Sequence, residues 1–125
     1  MPKAAQFAAP DLTSNGVLAT AAAKNGWTGS AQKQAQDWYN NFLEAVWYAP
    51  APGTAINVLN RKADDLWHVH KADPTYDAYC MACFGYIVQH IEYPIKRKAS
   101  AADLALVQPY YRHWPIPDSI VSCHP

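Results

Sequence analysis

The chain has 125 residues, 50% of them hydrophobic and 16% charged, which supplies one core, argues against two, and is the wrong balance for a disordered segment. Ten Lys and Arg against ten Asp and Glu cancel at neutral pH, so neither a nucleic-acid binder working by phosphate neutralisation nor a polybasic membrane-surface protein is expected. No apolar run approaches the roughly 18 residues of a spanning helix, and no apolar block of signal-peptide type follows the lone Lys3, so a soluble, cytoplasmic domain without nucleic-acid or membrane partners is expected.

Residues 1–29 read as a loosely held arm rich in Ala, Thr, Ser and Asn. Inside it, Val17 to Lys24 forms a short Ala-rich helix stopped by Asn25-Gly26. Ser30 can cap a long helix whose apolar face includes Trp38, Phe42, Ala45 and Val46, spaced three and four apart, and Pro50-Ala51-Pro52-Gly53 ends it. Thr54 can cap the next helix, with a buried stripe of Leu59, Ala63, Leu66, Trp67 and His70. Proline disfavours the α region for the residue before it, so that helix breaks at Asp73-Pro74. Asp73 as N-cap then opens a third helix, on which Tyr76, Cys80, Cys83, Ile87 and His90 share one stripe as far as Tyr93-Pro94. Gly85 beside that stripe would let a neighbouring backbone come close.

Lys96-Arg97-Lys98 reads as a solvated basic turn. Ser100 with Asp103 is a capping pair for a short last helix, Ala101 to Gln108, before Pro109. The aromatic tail around Tyr110, Tyr111 and Trp114 should fold back over the bundle. No useful period-two alternation is present, so the expected fold is all-α. It is a small single-domain bundle of about four helices, with a motif-bearing core over 30–93 and irregular arms over 1–29 and 94–125.

The chemistry is concentrated between Asp64 and His90. Three cysteines are an odd set for a disulfide framework. His68, His70, Cys80 and His90, however, lie on neighbouring helices, and imidazole and thiolate are first-choice ligands for zinc, copper and iron. His68 has Asp64 one helical turn behind it, where a carboxylate orients the ring and, unless burial opposes it, raises its pKa. His68 and His70 point roughly 200° apart at ~100° per residue, so they share an ion only if the helix loosens before Pro74. His70 follows the buried face and reads as structural, whereas His68 reads as functional. Cys80-x-x-Cys83 lies inside a helix with no preceding strand, the wrong place for a thioredoxin-like pair.

The string Asp64, Trp67-His68-x-His70-Lys71, Pro74, Tyr76, Cys80 and Phe84-Gly85 resembles the glycine-rich domain-containing-protein-like family of plants, fungi and bacteria. The resemblance covers about a quarter of the chain. It implies a helical domain in which these residues matter. The glycine-rich tail of the plant members is lacking, so nothing about that tail transfers.

Two functions follow. The first is a helical metal-binding domain, with His68, His70, Cys80 and His90 as ligands and no organic cofactor. It extends to a metal-dependent enzyme, oxidative or hydrolytic, acting on a small molecule or peptide, with His68, Asp64 and Tyr76 as catalytic residues. A nucleophilic Cys80 activated by His68 or His90 ranks below this, since no oxyanion-hole signal accompanies it. The alternative is a non-catalytic interaction module in which the Trp-His-x-His segment is core.

Overall fold

The computed structural model describes residues 2–112 and 120–125. Five α-helices and a two-stranded sheet are present among them: α1 (Val17–Asn25), α2 (Gly29–Tyr48), α3 (Arg61–Ala72), α4 (Tyr76–Phe84), β1 (Ile91–Lys98), α5 (Ala101–Val107) and β2 (Ile120–His124), with a 3-10 turn at Gln108–Tyr110. The protein is therefore mostly helical, with one more helix than expected, and it is not purely all-α.

Helix α2 carries the apolar stripe read from its sequence, and that stripe meets the buried face of α3. Phe42 lies 4.8 Å from Trp67, ring centre to ring centre, and Tyr39, Leu43, Leu59 and Leu66 are buried around them. The cap of α2 is Thr28 rather than Ser30, and the helix stops at Tyr48, ahead of Pro50. Helix α1 lies against α3 and ends on Gly26 in the left-handed region at φ 69°, a conformation glycine enters without a Cβ clash.

Helix α3 starts later than Thr54. The Thr54 hydroxyl bonds back to the Ala51 carbonyl at 2.6 Å, and the chain to Asn60 runs without helix. Asn60 then caps α3 by accepting from the Ala63 amide at 2.8 Å. Residues 56–60 are all buried, Asn57 and Asn60 included, so this extended segment runs through the core rather than along its edge.

Helix α4 is shorter than the stripe from Tyr76 to His90 implied. It ends at Gly85, whose φ of 80° and N–H to the Met81 carbonyl close the last turn. Gly85 is thus a left-handed helix terminus. Beyond it the chain runs back toward α3 without helix, so Ile87 and His90 lie off α4. Asp73 closes α3 instead of capping α4, and the N-cap of α4 is Thr75.

The basic turn is part of β1. Its partner β2 runs antiparallel, with Ile91 opposite His124, Glu92 opposite Cys123, and Arg97 opposite Val121 after a break in register. Pro94 falls inside that break, where a missing N–H costs the ladder nothing. The strand is solvent-exposed along most of its length, so it lacks the apolar alternation that betrays a strand in sequence. The Ser100–Asp103 capping box forms as expected. Tyr110 stacks on Tyr48 at 5.3 Å, Tyr111 packs against the core and Arg112 pairs with Glu44 at 2.8 Å, while Trp114 lies outside the described residues. No helix among the described residues is long and apolar enough to cross a membrane.

Asp103 joins three elements. Its carboxylate accepts from Arg97 at 2.6 and 3.2 Å, from Asn57 at 2.8 Å, and from the Ser100 amide at 2.8 Å. The Arg97 hydrogen bond outweighs burial and, with the Ser100 and Asn57 bonds, holds the Asp103 carboxyl far below the usual range. Because its folded pKa is depressed, the stabilisation is complete above the unfolded value near pH 4 and fades as pH falls further. Asp103→Asn should cost about 1–3 kcal/mol at pH 7 in urea denaturation, with the gap to wild type closing below about pH 4. A gap independent of pH would contradict this assignment.

Candidate metal centre

Four potential ligands converge from three stretches of chain: Asp64 and His68 from α3, His90 from the segment after α4, and Cys123 from β2. One donor atom from each lies within 4.8 Å of the others. Their helical spacing places Asp64 and His68 on one face, and the Asp64 carboxylate sits at the middle of the group. His90 Nε2 is 3.1 Å from Asp64 Oδ1, His68 Nε2 is 3.5 Å from Asp64 Oδ2, and the Cys123 thiol also bonds the carboxylate.

His90 is the most enclosed of the imidazoles in this group, its side chain 1% exposed against 34% for His68. It lies edge-on to Trp67 with ring centres 4.2 Å apart, and its centre is also 4.2 Å from that of His68. What brings it there is the hold on Val88, two residues earlier. The Tyr76 hydroxyl donates to the Val88 carbonyl at 2.5 Å and accepts from Trp67 Nε1 at 3.1 Å. The Val88 backbone also bonds the Cys80 sulfur, one turn along α4. Tyr76 and Cys80 therefore clasp one peptide residue between them, and Trp67 ties that clasp to α3.

Cys123 is positioned by the sheet and by residue 58. Its carbonyl accepts from the Val58 amide at 3.1 Å, and its register partner across the sheet is Glu92. The Glu92 carboxylate, 69% exposed, reaches within 3.7 Å of His68 Nε2 and marks the open side of the group.

The electrostatics favour the ligand forms of His68 and Asp64. Burial, aided by the nearby His90 and Lys71, outweighs Asp64 and Glu92 and holds the His68 pKa below its ordinary value. The carboxylate does act in the expected direction, but burial prevails, and His68 is neutral with a lone pair to give. Burial pushes Asp64 up, yet hydrogen bonds from His90 and Cys123 and the neighbouring imidazoles leave its carboxyl below the ordinary value.

Within 4.8 Å of one another, these four donors could hold a metal ion. Bonds of roughly 2.0–2.3 Å to N, O and S set the donors of a tetrahedral ion about 3.3–3.8 Å apart, so the group, whose His90 and His68 now meet different oxygens of Asp64 at 3.1 and 3.5 Å, would draw together around an ion. Binding would replace the Cys123 thiol proton. It would also shift the His90 proton to Nδ1, from which the exposed Lys71 ammonium, 3.4 Å away, must turn aside.

Of the residues singled out in the sequence, Asp64, His68 and His90 belong to this group. His70 and Cys80 do not. Helix α3 stays regular to Ala72, so His70 faces the core, fully buried, with Nδ1 bonded to the Tyr39 hydroxyl at 2.7 Å. Burial pushes its pKa down to about 4, and its ring meets Tyr76 edge-to-face at 4.8 Å. Cys80 is fully buried and burial raises its pKa, the opposite of what a nucleophilic thiol needs. The Tyr76 hydroxyl is taken by Val88 and Trp67, and burial raises its pKa strongly. Sequence reasoning missed Cys123, which lies 33 residues beyond His90. No local spacing ties it to Asp64, His68 or His90, because the pairing of β1 with β2 delivers it.

Comparisons with models of protein families, with curated proteins and with solved structures return no match.

Tyr76→Phe should lose about 2–4 kcal/mol in urea denaturation, because Val88 O and Trp67 Nε1 are both left buried without their partner. It should also shift the His90 ring resonances, which Tyr76 does not touch directly. A loss under about 0.5 kcal/mol with unmoved His90 resonances would contradict the clasp.

Proposed function

We propose that this protein is a metal-binding domain in which Asp64, His68, His90 and Cys123 hold one divalent transition-metal ion, zinc being the best fit. The observation that carries the reading is the convergence of four donors of three types from three chain segments, with His90 and Cys123 lying 26 and 59 positions beyond Asp64. Two imidazoles, one thiolate and one carboxylate suit zinc, while copper binds such nitrogen and sulfur donors tightly and iron less so. This set keeps His68 and His90 from the ligands expected on sequence grounds, and exchanges His70 and Cys80 for Asp64 and Cys123.

Four protein donors fill a tetrahedral sphere, which is the pattern of a structural site rather than of a catalytic one with an open position. The ion then ties α3, the 85–90 segment and β2 together, a gain for a chain of this size with so short a sheet. Substrate chemistry at the metal would need a further position on the open side, beside His68 and Glu92.

The interaction-module reading is favoured by one observation. His70, Trp67, Tyr76 and Cys80, the residues that dominate the sequence motif, are all buried in the core. It predicts no response to chelators.

Metal analysis of untagged protein purified without chelator should find about one ion per chain, and chelation should lower the melting temperature. Cys123→Ser should abolish that chelator response. It should also weaken zinc binding by more than the roughly 10–100-fold that loss of an outer-sphere partner costs. Substoichiometric metal, with identical chelator behaviour in wild type and Cys123→Ser, would overturn the proposal.

A further inference from the structure

A cleft of about 310 Å³ runs between α1 and the second half of α3, with His68 in its wall. The helices bounding it run in opposite directions. At one end, Asn15 Nδ2 bonds Thr75 Oγ1 at 3.2 Å, which joins the start of α1 to the chain just past α3. At the other end, the Lys24 ammonium acts on Asp65, one turn before the last half of α3. Val69, Thr20 and Ala72 line the stretch between.

The ionised residues that line the two ends are of opposite sign. Lys24 forms no ion pair within 4 Å among the described residues and lies with His68 at one pole. Asp73 lies with Asn15 at the other. Both hydrogen bonds to Asp73, from the Thr75 amide at 3.0 Å and from the Thr75 hydroxyl, go to Oδ2. Its Oδ1 takes none among the described residues. The hydrogen bonds from Thr75 hold the Asp73 carboxyl below its ordinary pKa, so it is charged at neutral pH.

Val17 to Lys24 spans about 10 Å at 1.5 Å per residue. An extended peptide covers roughly 3.3–3.6 Å per residue, so three residues match the length of that helix span. We propose that this cleft binds a short free peptide or similar elongated zwitterion, its amino group at Asp73 and its carboxylate at Lys24. The small side chains of Ala72 and Thr20 leave the middle of the cleft open to the peptide backbone, so length and free termini are read more strongly than side-chain identity. The inference does not require the metal, since of the four proposed ligands only His68 lines the cleft.

The test is an amide NMR titration of the full chain with triglycine, against N-acetyl-triglycine amide of the same length without terminal charges. Runs in the presence of zinc and of chelator keep the outcome separate from that of the metal proposal. Triglycine should shift amides of Thr20, Val69 and Ala72 saturably under both conditions. The capped peptide should bind at least tenfold more weakly, about 1.4 kcal/mol. Lys24→Gln and Asp73→Asn should each weaken triglycine binding several-fold, and in the latter the side-chain amide oxygen can still accept from the Thr75 amide, so the fold is kept. No saturable shift at ~10 mM triglycine, a concentration that would reveal even binding weaker than 1 mM, would overturn the proposal. Equal affinity for the capped and free peptides would overturn it as well.

Discussion

The candidate site depends on one residue's backbone being held at two points. Val88 offers a carbonyl to Tyr76 and bonds the Cys80 sulfur, and both partners stand one turn apart on α4. Without that grip the chain leaving Gly85 has no reason to double back over α3, and His90 would not reach Asp64. A buried peptide group left unpaired costs on the order of 1–3 kcal/mol, so the clasp both satisfies Val88 and selects its path. Trp67, donating to the Tyr76 hydroxyl and lying edge-on to His90, fixes the clasp and the imidazole together.

This separates two kinds of residue that the sequence motif presents as one string. His70, Tyr76, Cys80 and Trp67 build a buried scaffold, where burial pushes His70 toward its neutral form and raises the tyrosine and cysteine pKa values. Asp64, His68 and His90 stand at the edge of that scaffold, joined by Cys123. The alternation His68-x-His70 is the visible sign of the division, one ring facing the group and the other facing the core. Helical geometry requires it, since neighbours two apart point nearly opposite ways.

The helices were legible where local chemistry acts alone. The stop at Asn25-Gly26, the end of α2 before Pro50 and the Ser100–Asp103 capping box depend on a few adjacent residues. Three things were not legible. Thr54 looked like a cap, but its hydroxyl had a nearer acceptor in Ala51, and Asn60 took the role. The stripe from Tyr76 to His90 keeps helical spacing beyond Gly85, so periodicity could not show that the glycine ends α4. Strand β1 is exposed, charged and interrupted by Pro94, and only its pairing with distant β2 makes it a strand. Cys123 was hidden for the same reason. Asp64 and His68 share a helix, and spacing reveals them, whereas a ligand delivered by a long-range strand pair leaves no local pattern.

The central claim is that Asp64, His68, His90 and Cys123 form a tetrahedral site with a sulfur ligand, and cobalt(II) substitution reads both features in one absorption spectrum. Wild-type protein is predicted to give the intense visible bands of tetrahedral cobalt together with a thiolate-to-cobalt band in the near ultraviolet. The thiolate band should vanish in Cys123→Ser and persist in Cys83→Ser. A weak octahedral spectrum like that of cobalt in water, or a thiolate band unaffected by Cys123→Ser, would contradict the account.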